Sequence, residues 1–291
     1  MDYLDTYIET LEITGEYSDN TVQAYASDLK RFFLFLKKKI GRIPVSDDLD
    51  SSTIKDFLES ENRTGLSAST LHRRKVVLTR FALYLVNIGV FSRNDVLELF
   101  AWKQELWKDI YTREVQYLTD TQVEKLIATV AEENSPKSIR DTALLSLLLE
   151  TGLPIGKLIS INLSDIDLTN KRLNVTFDHG YYSYPIENSI DPLKVYMTSA
   201  RKEYIQSDSE EALFISQMGG RISRQGVWQL VREWGERAKI NTPISPRILR
   251  NTKVKRMVKA GLSTADIQRE LGHSNRYSTR ALIRKLNRRI G

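Results

Sequence analysis

The residues of this chain best suited to chemistry are cations, and they are grouped. The string Arg247-Ile248-Leu249-Arg250 sets two guanidinium groups together, and Lys253, Lys255, Arg256 and Lys259 continue along the same predicted helix. An arginine cannot serve as a general base near neutral pH, but its planar fork grips a phosphate well. Arg224 follows Ser223, a predicted helix cap, and is placed like a contact to a nucleic-acid backbone. In the first third of the chain Arg73, Arg74 and Arg80 share one predicted helix. The chemistry these residues suit is phosphate binding. There is no cysteine, which removes disulfides, thiolate metal sites and thiol nucleophiles. Only three histidines occur, His72, His179 and His273, too widely spaced for a histidine-rich metal site, so no metal or other cofactor is expected.

Lys and Arg number 43 against 37 Asp and Glu, a net charge of +6 in 291 residues. A moderate excess of this kind assists binding to phosphate backbones when it is clustered, and is otherwise only a solvated basic surface. The opening MDYLDTYIETLEI is acidic and amphipathic, unlike a signal peptide, and no apolar run is long enough to span a bilayer. Together with the missing cysteine this fits a cytoplasmic protein.

Two kinds of element must position the cations. Residues 1–102 read as a helical unit. In TVQAYASDLKRFFLFLKKK, Val22, Tyr25, Leu29, Phe32, Phe33 and Leu36 form one apolar stripe, with Lys30, Arg31 and Lys38 opposite. Ser18 or Asn20 is the candidate cap, and Gly41 and Pro44 close the helix. A shorter helix covers SSTIKDFLES. A third runs through SASTLHRRKVVLTRFALYLVNIG, with Ser69 as cap and Gly89 as stop. It carries Leu71, Leu78, Phe81 and Leu85 inward, with Arg73 and Arg80 nearly opposite. Residues 103–116 show no clean period and read as a linker.

Residues 117–291 are α+β. Thr119 and Gln122 make a capping-box pair, and Val123, Leu126, Ile127 and Val130 follow as a buried stripe. SPKSIRDTALLSLLLETG is apolar nearly all round, with Ser135 as cap, Pro136 in the first turn and Gly152 past the end. It is the expected central helix. Then the period changes. Leu173, Val175 and Phe177 alternate, DHG turns the chain, and Tyr182, Tyr184 and Ile186 alternate back, giving an antiparallel hairpin. Helices return at DPLKVYMTSARKEYI, SRQGVWQLVREWGERAKI, SPRILRNTKVKRMVKAG and STADIQRELGH.

The order of these elements and several strings resemble the tyrosine recombinase (phage integrase) family, in particular its Xer-like members, over nearly the whole chain. SDNTVQAYASDLKRFFLFL resembles the opening helix of that family's N-terminal, SAM-like core-binding domain. RDTALLSLLLETGL, INLSDIDL, the hairpin, ALFIS, SPRILRNT and AGLSTADIQRELGHS resemble successive landmarks of its catalytic domain. The resemblance implies a mainly α protein with a small antiparallel sheet, two basic surfaces closing on double-stranded DNA as a C-shaped clamp, and a tyrosine that attacks a phosphodiester. Two arginines, a histidine or tryptophan, a hairpin lysine and a further histidine would stabilise charge and move protons.

This sequence departs from that set at named positions. The first arginine should follow Thr151-Gly152-Leu153, where Pro154 stands, and an acidic residue two or three positions on is replaced by Lys157. The hairpin lysine belongs near Phe177, Asp178 or His179, none of which is lysine. His179 is a candidate substitute acid, or simply an exposed turn histidine. The box written H-x-x-R reads Arg247 to Arg250, so the arginine is kept and the histidine is not. His273 matches the later histidine. The nucleophile position, nine residues beyond, is Leu282, with Tyr277 five residues early.

The expected reading is a DNA-binding, recombinase-like protein unable to cleave DNA. It would act as a regulator, an architectural factor or an accessory to recombination and integration. Its DNA-binding residues would be Arg73, Arg74, Arg80, Arg224, Arg247, Arg250, Lys253 and His273, and its partners DNA and either itself or an active relative. The alternatives are a divergent active recombinase with Tyr277 as shifted nucleophile, and an interaction protein that no longer binds DNA.

Overall fold

The computed structural model describes residues 3–14, 17, 19–101, 115–177, 180–207, 210–242, 244–272 and 276–287. The chain divides into two compact units, Met1–Arg113 and Glu114–Gly291. Most of the segment read as a linker, and the turn residues Asp178 and His179, lie outside the described residues, as do Ser18 and His273.

The first unit is helical: α1 (Tyr3–Thr14), α2 (Asp19–Ile40), α3 (Ser51–Arg63), α4 (Ala68–Asn87) and α5 (Arg93–Ala101). The stripe on α2 is buried as its spacing requires, with Leu29, Phe32 and Leu36 fully enclosed. Phe32 meets Phe57 of α3 edge-on at 5.4 Å, and Tyr7 of α1 meets Phe81 of α4 at 5.3 Å. Removing such surfaces from water stabilises by about 25 cal/mol per Å² of apolar area. The cap of α4 is Ser67 and not Ser69: Ser67 is extended and its hydroxyl accepts from Thr70 N at 3.2 Å, while Ser69 already lies within the helix. Asn20 likewise lies inside α2. The α3 helix is capped by Asp50, whose carboxylate accepts from Thr53 N at 2.7 Å.

In the second unit α6 (Asp120–Glu132) and α7 (Pro136–Thr151) are capped by Thr119 and Ser135 as the sequence predicts, and Gly152 ends α7 in the left-handed conformation. The α7 helix is central, with Leu144, Leu145, Leu147 and Leu148 fully buried. It also buries a charged pair: Asp141 accepts from Arg140 at 2.9 Å and from Trp234 Nε1 at 2.7 Å. Burial pushes the Asp141 pKa up, and Arg140 opposes that shift.

A short helix α8 (Ile155–Ser160) follows, then β1 (Ile166–Asp167), β2 (Arg172–Phe177) and β3 (Gly180–Pro185). The sheet is antiparallel, with Val175 opposite Tyr182, Leu173 opposite Tyr184, and Ile166 opposite Leu173 on the other edge. Partners directly opposite share a face, so Leu173, Val175, Phe177, Tyr182 and Tyr184 face one way. The segment read as one helix at DPLKVYMTSARKEYI breaks after α9 (Ile190–Thr198) into a 3-10 turn, Ala200–Glu203. Within that turn Arg201 is buried and donates to the carbonyls of Glu210 and Ala212 at 2.6 and 2.8 Å, contacts that a continued α-helix is not built to make. Three helices α10 (Arg224–Arg237), α11 (Pro246–Lys259) and α12 (Thr264–Glu270) precede the last, α13 (Arg276–Asn287).

Candidate nucleic-acid interface

The cations of the first unit divide by burial. Arg73 is half-exposed and pairs with Asp28 at 2.8 Å. Arg80 is exposed and lies over the Tyr17 ring, to whose hydroxyl it donates. Arg74 corrects the expectation that it faces DNA: it is buried, held between Asp28 and Glu61, both themselves buried. Its neighbour Arg73 points outward because adjacent helical residues stand about 100° apart, at 3.6 residues per turn. Arg74 is the buried cation shared by two buried carboxylates, each of which also meets a more exposed arginine, Asp28 with Arg73 and Glu61 with Arg31.

In the second unit Arg250 reaches inward from α11. One nitrogen donates to the carbonyl of Gly152 and the other to the carbonyl of Leu271 at 2.8 Å. Burial lowers its pKa to about 10, a shift that the nearby Tyr184 phenol opposes, so it stays charged at neutral pH. These two bonds occupy two of the five N–H donors of a guanidinium. Beside it the Tyr184 hydroxyl is buried with no hydrogen-bond partner among the described residues, and burial and the Glu270 carboxylate raise its pKa. Lys253, one turn along α11, lays its side chain against Gly152, where an added Cβ would meet its Cγ at 3.0 Å. Arg247 is exposed at the start of α11.

The positions at which this sequence departs from the expected catalytic set are filled by structure. Pro154 is the N-cap of α8, and its carbonyl accepts from Lys157 N at 2.9 Å and Leu158 N at 3.0 Å. Phe177, at the end of β2, packs its ring on Gly272; that glycine is left-handed at φ +59, and an added Cβ would strike the ring. Lys157 places its ammonium 5.5 Å from the centre of the same ring. Leu282 is packed against an apolar cluster of Val254, Met257, Ile267, Leu271 and Leu286. Tyr277 lies in the first turn of α13, and its side chain, like His179 and His273, is outside the described residues.

Of the cations expected to meet DNA in this unit, Arg247 and Arg224 are exposed, Arg250 turns inward and Lys253 lies against Gly152. Sequence reasoning missed the inward turn of Arg74, the filling of the pocket by Phe177 and the buried Tyr184 hydroxyl. The alternation around Phe177 put that ring on the inner face, but a strand pattern does not say which helix end it meets.

A mainly helical two-unit architecture with a three-stranded antiparallel sheet and an inward arginine defines an integrase-like catalytic fold. Residues 116–288 match the model of the phage integrase family, and residues 4–89 match the phage integrase N-terminal SAM-like domain. The chain belongs to the phage integrase family. It is 27% identical to tyrosine recombinase XerC of Roseiflexus castenholzii over 98% of this chain and 88% of the relative, and 27% identical to XerC of Bacillus subtilis over 95% and 90%. Among solved structures, the Tn1549 transposon integrase with circular intermediate DNA has a TM-score of 0.73 at 20% identity, covering 96% of this chain and 94% of that one. XerH bound to difH in a post-cleavage complex has a TM-score of 0.73 at 16% identity, covering 92% and 77%.

Proposed function

We propose that this protein binds duplex DNA as its recombinase relatives do and does not cleave it. The observation that carries the second half is Leu282. At the position expected for the attacking tyrosine, an apolar side chain is packed against the apolar cluster between α11, α12 and α13. Loss of a nucleophile removes the covalent step outright, Pro154 takes away the leading guanidinium, and none of Phe177, Asp178 and His179 is the expected lysine.

The first half rests on family membership, on solved neighbours that hold DNA, and on the cations. Arg250 has three donors without a partner among the described residues, Arg247 and Arg224 are exposed, and Arg73 and Arg80 present outward in the first unit. Such contacts supply affinity through counterion release without reading sequence. A cytoplasmic regulatory, architectural or accessory role in recombination, beside a second copy or an active relative, goes with this reading.

The test is a gel shift over a salt series, followed by a nicked suicide substrate on the selected duplexes. The reading expects a salt-sensitive shift and no covalent adduct. An adduct lost in Tyr277→Phe would establish a shifted nucleophile instead, and no shift at low salt across many duplexes would leave an interaction protein.

A further inference from the structure

Five charged side chains from three helices of the first unit form one continuous run of ion pairs. Arg31 of α2 places Nε 3.1 Å from Oε1 of Glu61 on α3, and the other Glu61 oxygen meets Arg74 of α4. Arg74 Nε lies 3.2 Å from Asp28 Oδ1, back on α2, and Asp28 Oδ2 lies 2.8 Å from Nε of Arg73. Arg73 also donates from Nη2 to Asp28 Oδ1 at 3.0 Å. The three inner members are buried, whereas the side chains of Arg31 and Arg73 are 55% and 45% exposed. Each end of the run is a surface guanidinium gripped from behind by a buried carboxylate.

This arrangement supplies orientation and very little charge. The two-point grip of Asp28 limits the rotamers of Arg73 before any ligand arrives. Because the group is planar with five N–H donors, its Nη1–Nη2 end is left as a fork with no other partner among the described residues. Arg31 commits only Nε and leaves both terminal nitrogens. Three guanidiniums share two carboxylates, so a single surplus positive charge serves two exposed arginines. A phosphate at Arg73 would also meet the Asp28 carboxylate behind it, and like charges repel. The N7 and O6 acceptors of a guanine edge carry no net charge, and they reward a fork held in one orientation. Lys30, Lys37 and Lys38, exposed on α2 with no carboxylate partner among the described residues, suit phosphates better.

We propose that Arg31 and Arg73 read guanine edges in the major groove of duplex DNA, with Asp28, Glu61 and the buried Arg74 as positioning residues. The proposal rests on the DNA-binding reading above and goes beyond it by giving the first unit a part in sequence selection. It also gives Arg74 a role in recognition without contact to DNA.

The experiment uses the full chain and duplexes selected from a random pool with wild type. Each guanine is replaced singly by 7-deazaguanine, which lacks the N7 acceptor and still pairs with cytosine. Wild type is expected to lose affinity severalfold at one guanine matched to Arg73 and at another matched to Arg31. The first loss should vanish in Arg73→Gln and the second in Arg31→Gln. Changing such a pair to adenine–thymine should weaken wild type by roughly 5- to 150-fold and the matching variant far less, with the slope of log affinity against log salt unchanged. Arg73→Lys, which keeps the charge and loses the fork, should behave as Arg73→Gln does. Glu61→Gln should lose discrimination at the Arg31 guanine, and circular dichroism checks its fold. A uniform loss across sequences with a slope lowered by about 0.9 would make these arginines phosphate contacts and overturn the proposal while leaving DNA binding intact. A 7-deaza loss that persists in both variants would overturn it too. So would wild-type binding indifferent to every 7-deazaguanine, a result that depends on no variant. If wild type shifts no duplex, the DNA-binding reading fails and takes the proposal with it.

Discussion

Arg250 donates to the carbonyl oxygen of Leu271 at 2.8 Å, tying the middle of α11 to the end of α12. Its other nitrogen holds Gly152, at the end of the central helix. The arginine proposed to meet phosphate is therefore also an internal brace. That double role gives a reason for its persistence that does not depend on cleavage.

Arg250→Ala should destabilise the second unit. Hydrogen bonds to a charged group are worth about 1.5–3 kcal/mol each, and truncation leaves two carbonyls unsatisfied. A loss of about 2–4 kcal/mol in urea denaturation is expected. A change under about 0.5 kcal/mol, the range of an uninvolved surface substitution, would show that the two carbonyl bonds carry no weight.

Arg74 and Arg73 should separate in the opposite sense from their sequence neighbourhood. Arg74→Ala removes the buried cation between Asp28 and Glu61, leaving each only its more exposed partner, Arg73 or Arg31, and is expected to cost about 3 kcal/mol. Arg73→Ala removes a half-exposed pair and should cost about 1 kcal/mol or less. Thermal unfolding of the two variants decides, and equal losses would contradict the burial of Arg74.

These two arginines also mark what the sequence could and could not reveal. Helix periods, the Ser135 and Thr119 caps and the hairpin alternation were legible because each follows from local spacing. The inward turn of Arg74 was not, because it depends on carboxylates at positions 28 and 61, far away in the chain. The small strand Ile166–Asp167 was too short to show a period. Within the site, Pro154 and Leu282 were legible as departures by type. That Phe177 would plug against Gly272 while supporting Lys157 depends on the packing of three separate segments.

His72 provides a pH test of the first unit. Burial, with a smaller contribution from Lys75, lowers its pKa below the ordinary 6.5. The unfolded chain therefore takes up a proton first as pH falls, and stability drops below pH 6.5. Above that pH both states carry a neutral ring and the difference vanishes. Subtracting the stability of His72→Gln from that of wild type between pH 7.5 and 5 should give a difference that falls with acid. A difference that rises, or stays flat, would contradict a neutral buried ring.

Leu282→Tyr should not create a working nucleophile. The larger side chain must repack at the edge of the apolar cluster, at a cost of about 1 kcal/mol. Even if it fits, Pro154 still withholds the arginine, and no lysine stands at Phe177, Asp178 or His179. Suicide-substrate assays on Leu282→Tyr should yield no adduct, and Pro154→Arg with Phe177→Lys would be required alongside it. Cleavage by the single variant would show that the remaining groups suffice.

The most direct measurement is a paired one on wild type: affinity for a selected duplex across a salt series, and covalent trapping on a nicked version of that duplex. The account predicts binding that weakens steeply with salt and no protein–DNA adduct. A covalent adduct at a bound site, or no binding at low salt to any duplex, would contradict it.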